Sequence, residues 1–212
     1  MKHLAASIAL VVACAPCASG AQEQTWPRST VDALYSYLSY DVGDDIELSG
    51  PGAALRFTVG EGLGFLTGEY QYSEPSGRAL GERFEATLKT WRAGAGVRVL
   101  DKRMGSLHVR GEYVDFEREI EAPSLGEAED DQDGFGGHVG GIFGIAHVLF
   151  WGEAGYIRTD ESDGYELRTG AGWQPGTTGF FVEYRLTDLQ GDDEDVDETF
   201  GDIRVGVRSG FN

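Results

Sequence analysis

The sequence predicts an all-β protein, a closed antiparallel up-and-down barrel of ten strands. Three observations support this prediction: short segments of alternating polarity recur along the chain, their connections alternate between short turns and longer acidic loops, and arginine and glutamate share one face of many segments. A β-sandwich has no reason to place every long loop at the same end. A barrel that crosses a membrane has short turns at one rim and longer loops at the other. The sequence therefore favours a transmembrane β-barrel.

The ten predicted strands follow one another with little else between them. Most reach the nine to eleven residues, roughly, that a tilted strand needs to cross a bilayer. They are residues 31–42, 53–59, 65–73, 83–100, 106–118, 135–145, 148–159, 165–173, 179–189 and a last strand from 199 to 211.

The first half of the chain shows the two faces most clearly. In 53–59, Leu55 and Phe57 alternate with Arg56, and in 83–100 an apolar row that includes Trp91 opposes Arg92. Lysine is nearly absent from the charged face, whereas soluble surfaces usually carry more of it. Arginine and glutamate in a narrow lumen can form forked ion pairs, so the charged face is predicted to point inward.

The second half repeats this pattern. In 179–189, Val182 and Tyr184 alternate with Glu183 and Arg185, and glycines occupy many of the remaining positions on the charged face. Small residues there leave room for long side chains inside a small barrel. The predicted lumen network consists of Arg56, Glu69, Arg92, Arg98, Arg110, Glu112, Glu153, Glu166, Arg168, Glu183, Arg185, Arg204 and Arg208.

The N-terminus has the pattern of a secretory signal peptide. Lys2 precedes an apolar stretch at 4–13, and small residues follow as far as Ala21. Such a stretch is too short for a spanning helix and is typical of a segment removed after export through the Sec pathway. We therefore expect a signal peptide at 1–21 with cleavage after Ala21.

The remainder divides into a short segment at 22–30 and the barrel at 31–212. An alternative for the leader is lipidation at Cys14, because residues 11–14 resemble the lipobox of bacterial lipoproteins. Under either alternative the folded part contains no cysteine beyond the leader, so no disulfide is expected.

The charge of the chain restricts its partners. The 212 residues carry a formal net charge of −19. Nucleic acid is excluded as an expected partner because phosphate binding needs a basic face.

The last strand carries a resemblance to a known family. Ile203, Val205, Val207 and Phe211 alternate with residues that include Arg204. With the leader, this strand resembles the small bacterial outer-membrane β-barrels of the OmpA and OmpX type.

The resemblance implies a cell outer-membrane location in a Gram-negative bacterium, with outer-membrane lipids and lipopolysaccharide as partners. It implies that Phe211 is part of the signal read by the barrel assembly machinery, although Asn212 follows it here. It also keeps open an alternative of eight strands, the usual number in barrels of this size.

Catalytic and metal-binding patterns are weak. His108, His138 and His147 are not accompanied by a recognisable serine-nucleophile motif, so we expect no enzyme, no catalytic residue and no cofactor. The residues Glu129, Asp131 and Asp133 resemble the first half of a calcium loop that lacks its final bidentate acid, which makes them weak candidates for a divalent cation.

The expected function is that of an outer-membrane barrel with a structural or surface-interaction role, a salt-bridged lumen and acidic extracellular loops. Two alternatives remain at this point. One is a small passive channel, and the other is a soluble secreted or periplasmic barrel with the faces reversed.

Overall fold

The structure, a computed structural model, describes residues 29–43, 46–79, 82–102, 104–122, 126–191 and 197–211. The expected signal peptide, Cys14 and Asn212 lie outside the described residues. The described chain contains no helix that could span a membrane. Its strands are β1 (Ser29–Val42), β2 (Ile46–Glu61), β3 (Gly64–Ser73), β4 (Ser76–Ala79), β5 (Glu82–Lys102), β6 (Gly105–Ala122), β7 (Gly126–Ile145), β8 (Val148–Thr159), β9 (Ser162–Trp173), β10 (Thr178–Gly191) and β11 (Asp197–Phe211).

The ten long strands form a closed antiparallel barrel. Each pairs with its neighbours along the chain, and β1 pairs with both β2 and β11, from Ser29 opposite Phe211 to Val42 opposite Glu198. The four-residue β4 adds short pairings to β2 and β5 at one rim. The prediction of ten strands is confirmed, and the alternative of eight is wrong.

The two rims differ in their connections. The turns between β2 and β3, β5 and β6, β7 and β8, and β9 and β10 lie at one rim, which we call the turn rim, together with the start of β1 and the end of β11. Two of these turns use left-handed backbone, at Gly62 (φ 60°) and Ala146 (φ 52°). The opposite rim, whose connections include Glu74, Asp160 and Glu161, is the acidic rim.

Several segments predicted to be acidic loops are strands. β2 begins at Ile46 rather than 53, and β7 begins at Gly126 rather than 135, so the chain at 126–134 pairs with β6 instead of forming a free loop. Alternation continues through these segments with apolar residues such as Leu48 inside and acids outside. Their polar composition predicted loops, but a strand that continues beyond the membrane also has a polar outer face.

The barrel has two zones with opposite polarity. The membrane zone, which on β6 comprises residues 107–113, has an apolar outer face and a mainly charged inner face. On β2 in this zone, Leu55 and Phe57 are 54% and 48% exposed on the outside, whereas Arg56 between them is 5% exposed. The cap zone, on β6 residues 114–121, lies between the membrane zone and the acidic rim and has acids outside and apolar side chains inside.

Aromatic side chains mark both edges of the membrane zone, as in the girdles of membrane barrels. Those at the boundary with the cap zone are Tyr35, Tyr37, Tyr70, Trp91, Tyr113, Phe135, Tyr156, Tyr165 and Tyr184, and those near the turn rim are Phe143, Phe150, Trp173, Phe180 and Phe211. Between the edges, β8 covers about 26 Å of strand from Val148 to Tyr156. This length suits a tilted crossing of a hydrocarbon layer.

The cap zone has a hydrophobic core of its own. One buried cluster contains Leu38, Tyr40, Leu48, Phe84, Ala86 and Leu88. A second contains Val114, Phe116, Ile157 and Leu189. Phe200 packs against both clusters and stacks on Tyr40 at 4.6 Å. Between its charged part and the acidic rim, the lumen is therefore filled with apolar side chains.

Candidate functional site: the charged lumen

The charged lumen lies within the membrane zone, where the inward positions of all ten long strands converge. A charge buried there is stabilised only when it is paired and hydrogen-bonded. The ionic side chains lie in an inner part next to the cap zone and an outer part next to the turn rim.

Arg204 is at the centre of the inner part and is fully buried. Its Nη1 lies 2.9 Å from Oε1 of Glu69, and its other nitrogens donate to Asp202 and Gln71. Arg185 approaches the same Glu69 oxygen at 2.7 Å. One carboxylate therefore joins two arginines from neighbouring strands, β10 and β11.

Arg92 makes the second junction of the inner part. Its guanidinium lies 2.9 Å from Glu112 and 2.7 Å from Glu166, bridging β6 and β9. His138 lies beside it, with Nε2 2.9 Å from Glu112. Gly155 on β8 makes this possible, because a Cβ there would lie 2.0 Å from Nδ1 of His138.

The triad Glu112, His138 and Glu166 has donor types that could hold a metal ion, since its ligand atoms lie within 4.8 Å of one another. Arg92 already bridges both carboxylates, so a divalent cation would have to displace a guanidinium. The arrangement favours an ion-pair junction over a metal centre.

The outer part is built around Arg56 and Asp32. Arg56 lies 2.9 Å from Asp32 and donates to both oxygens of Glu183 at 3.0 Å. Arg208 forms a forked pair with Asp32 at 2.7 and 2.8 Å. Trp151 donates its indole N–H to Glu183 at 3.0 Å.

Glu153 contacts three further basic side chains of the outer part. Arg110 lies 2.6 Å from one of its oxygens and Arg168 3.2 Å from the same oxygen. His108 lies 2.8 Å from the other oxygen. Arg110 also reaches Glu112, which links the outer part to the inner part.

The structure places twelve of the thirteen residues predicted for the network in one connected set of ion pairs; Arg98 is the thirteenth. Arg98 lies near the turn rim, over the ring of Phe65 at 5.3 Å, and donates to the carbonyl of Gly62 at 3.4 Å. The predicted network omitted Asp32, His108, His138 and Asp202, which belong to the same set, and Gln71, which hydrogen-bonds to it.

The open space in the lumen is uneven. A cavity of about 140 Å³ lies in the outer part, one of about 10 Å³ lies in the middle, and one of about 40 Å³ lies beneath the cap clusters. The middle cavity has room for about one water molecule. Among the described residues, the lumen is therefore wide only on the side of the turn rim.

Glu129, Asp131 and Asp133 occupy successive outward positions on β7 rather than a loop. Alternate residues of a strand are roughly 7 Å apart, so these three carboxylates cannot converge on one ion as a calcium loop does. They lie opposite Glu119, Glu117 and Asp115 of β6, respectively. The resemblance to a calcium loop is therefore wrong, and the feature is a ladder of like-charged pairs, which we call the acid ladder.

Like-charged neighbours and burial shift the pKa values of side chains in the cap zone. Partial burial raises the pKa of Asp115, and the carboxylates of Glu117, Asp131 and Asp133 raise it further. On the inner face, burial and then the Glu198 carboxylate raise the pKa of the Tyr40 hydroxyl, which donates to Glu198 at 3.1 Å. Arg118 also pairs with Glu198 and lies 2.7 Å from Asp130.

The three described histidines lie at different places in the barrel. No hydroxyl of the described residues hydrogen-bonds to either ring nitrogen of His138, whose side chain is buried between the charged residues. His108 faces the large cavity, and His147 is exposed in the turn between β7 and β8.

Phe211 is the last described residue and lies opposite Ser29 in the closing pair of strands. Its ring is half exposed on the outer face at the turn rim.

No protein-family model and no curated protein sequence matches the chain. Solved structures do match it. Neisserial surface protein A aligns with a TM-score of 0.50 and 13% identity over 86% of this chain and 97% of its own. The outer-membrane protease OmpT from Escherichia coli aligns with a TM-score of 0.62 and 8% identity over 86% and 96%. The transport unit of the autotransporter AIDA-I from Escherichia coli aligns with a TM-score of 0.52 and 12% identity over 89% and 92%. The chain thus has the fold of the bacterial outer-membrane β-barrels.

Proposed function

We propose that the protein is a non-enzymatic outer-membrane barrel with a closed lumen, which has a structural or surface-interaction role and presents the cap zone outside the cell. The observation that carries this proposal is the apolar outer band of the membrane zone, bounded by aromatic rings on both sides. A soluble barrel would bury such side chains and expose the arginines instead. The soluble alternative is therefore not favoured.

The sidedness follows from the connections. Barrels of the bacterial outer membrane have their short turns in the periplasm. The turn rim is then periplasmic, and the acidic rim faces the lipopolysaccharide. The acid ladder would repel lipopolysaccharide phosphates unless cations intervene, so we propose Mg²⁺ or Ca²⁺ as bridges between the two. Phe211 at the turn rim would be available to the assembly machinery during insertion.

The closed lumen argues against the alternative of a passive channel. The middle of the lumen is occupied by paired side chains around a cavity of about 10 Å³, and the apolar clusters lie above it. Ions crossing it would have to separate buried ion pairs, which is costly in free energy.

Two measurements test this proposal together. The refolded protein should migrate differently on a gel before and after boiling, as closed membrane barrels do, and it should insert into lipid vesicles. In planar bilayers it should give no stable conductance steps. Absence of heat-modifiable migration would contradict the membrane barrel. Stable conductance steps would be compatible with the barrel but would contradict the closed lumen and support the passive channel.

A further inference from the structure

The large cavity at the turn rim has a charge opposite to that of the protein as a whole. We call it the vestibule, and its volume is about 140 Å³. Its charged lining consists of five arginines and two glutamates, with His108 beside them. The arginines are Arg56, Arg98, Arg110, Arg168 and Arg208. Asp32 pairs with two of them from the wall, so five guanidinium groups lie at this height with three carboxylates. Arg56 and Arg110 also contact Glu69 and Glu112 of the inner part.

The balance is reversed deeper in the lumen. There Arg92, Arg185 and Arg204 are accompanied by Glu69, Glu112, Glu166 and Asp202. The excess positive charge of the lumen is therefore concentrated where the space is widest, in a chain whose net charge is −19.

The carboxylates of the vestibule already accept several donors, whereas Nε of Arg110 and Nε of Arg168 are buried without a hydrogen-bond partner among the described residues. Glu153 contacts Arg110, Arg168 and His108, and Glu183 accepts from Arg56 and Trp151. Of the two arginines with a buried, unpartnered Nε, Arg168 has the longer carboxylate contacts. The Arg168 side chain is 16% exposed, and its carboxylate contacts are Glu153 at 3.2 Å and Glu183 at 4.0 Å.

The vestibule is accessible from the turn rim. Inward side chains near this rim, such as Thr58, Phe65 and Ser106, are only half-buried, whereas Tyr40 and Leu48 at the other end of the lumen are fully buried. The vestibule is therefore in contact with solvent at the turn rim, which is the periplasmic side in the proposed orientation, and we expect a small solute to enter there.

We propose that the vestibule is a binding site for a small phosphate-type oxyanion, inorganic phosphate or a compact phosphomonoester, held by the guanidinium of Arg168 with its neighbours. Guanidinium groups bind such oxyanions through paired N–H donors, and a partly dry site strengthens each contact. Thr58, Thr67 and Ser106 in the same lining supply hydroxyl donors. The site does not depend on the role proposed for the cap zone.

Titration calorimetry of the full chain, folded in a maltoside detergent that contains no phosphate, tests this site. Inorganic phosphate is the probe, and acetate at the same concentration is the comparison. We expect saturable binding of phosphate at one site per chain, with acetate binding at least tenfold more weakly. Equal binding of acetate would overturn the assignment to phosphate, and absence of saturable heat would overturn the site.

Two variants locate the binding. Arg168→Gln should weaken phosphate binding about tenfold, because it removes a charged donor, and Arg168→Lys should recover only part of the loss. Arg158→Gln, an exposed arginine of the cap zone, is the matched control and should leave affinity within about twofold. Equal weakening in Arg158→Gln would show general screening and overturn the proposal. If Arg168→Gln does not fold, as judged by its migration before and after boiling, Arg98→Gln at the turn rim replaces it as the test. An unchanged affinity of Arg98→Gln for phosphate would contradict the site, and a loss of several-fold would support it.

Discussion

The membrane zone and the cap zone are built from the same strands with opposite polarity. On β6, Val109 and Tyr113 point outward and Arg110 points inward, whereas a few residues later Glu117 points outward and Phe116 inward. The backbone geometry does not change at this point, since the pairing with β7 continues without a break from Gly105 to Ala122. The difference shows that the surroundings of the strand, hydrocarbon or water, determine which side chains its outer face carries.

The two zones also differ in what fills the lumen. The membrane zone is held mainly by buried ion pairs, beside one small apolar cluster of Leu34, Ala54 and Phe181. Buried ion pairs lose stability sharply when one partner is removed. The cap zone is held by apolar clusters, in which truncation leaves a cavity. The substitutions below test this difference, beginning with the largest expected effect.

Removal of a central cation should have the largest effect. Arg204→Met leaves Glu69 and Asp202 with fewer partners in a fully buried place. We expect a loss of about 3–5 kcal/mol in the free energy of unfolding, because the remaining carboxylates are left under-compensated. Urea unfolding in lipid vesicles measures it, with the exposed Arg158→Gln as control. A loss below about 1 kcal/mol would contradict the role of the ion pairs.

Truncation in the cap zone should have the next largest effect. Ile157 is fully buried in the second apolar cluster, so Ile157→Ala should reduce the free energy of unfolding by about 2–5 kcal/mol. Ala154, three residues earlier on the outer face of β8, provides the control, since Ala154→Gly removes one methyl group from the lipid-facing surface. Equal effects of the two substitutions in the same unfolding assay would show that the cap zone lacks a packed core.

A charge introduced on the outer face should separate the zones on a single strand. Val207 of β11 is in the membrane zone, and Thr199 of the same strand and face is in the cap zone. Val207→Arg should cost up to about 2–4 kcal/mol, because it places a charge on the lipid-facing surface. Thr199→Arg should change the free energy of unfolding by less than about 0.5 kcal/mol. Similar losses at both sites would remove the distinction between the zones.

The acid ladder should give the smallest effect, and one of opposite sign. Asp115→Asn removes a like-charged cross-strand pair with Asp133 and should stabilise the protein by about 0.2–1 kcal/mol at neutral pH.

The pH dependence of that gain has a defined sign. Because the folded-state pKa of Asp115 is raised, the wild-type side chain takes up its proton in the folded state before it does so in the unfolded chain. The advantage of Asp115→Asn should therefore be complete above the raised pKa and shrink as the pH falls through it. Unfolding of both proteins between pH 7 and pH 4 measures this, with Glu61→Gln at the turn rim as control. If the stability advantage of Asp115→Asn grew as the pH falls, repulsion between the carboxylates of the acid ladder would be contradicted.

The sequence was sufficient to predict the barrel, its ten strands and the inward direction of most arginines, because alternation and connection type survive in the chain without tertiary information. Asp32 was missed since Leu34, Leu38 and Tyr35 make both faces of β1 look apolar. The early part of β7 was missed because its outer acids suggested a loop. In both segments successive side chains alternate between the two faces of the strand. Polarity alone, however, does not show which of these faces points into the lumen.

The vestibule could not have been found from sequence. Its five arginines come from five different strands, and their surplus over carboxylates is visible only once the register places Asp32, Glu153 and Glu183 beside them. Sequence alternation predicts that a side chain points inward but not at which height or beside which partner.

The most direct test of the central claim is a depth measurement on β11. The cysteines of the chain, Cys14 and Cys17, both lie in the expected leader, so a single cysteine at position 207 or 199 of the mature protein can carry a nitroxide label without background. In lipid vesicles, spin relaxation should show the label at 207 exposed to dissolved oxygen and shielded from a water-soluble nickel complex, with the reverse at 199. Equal access of the nickel complex to both positions would contradict a barrel whose outer face passes from hydrocarbon to water between them.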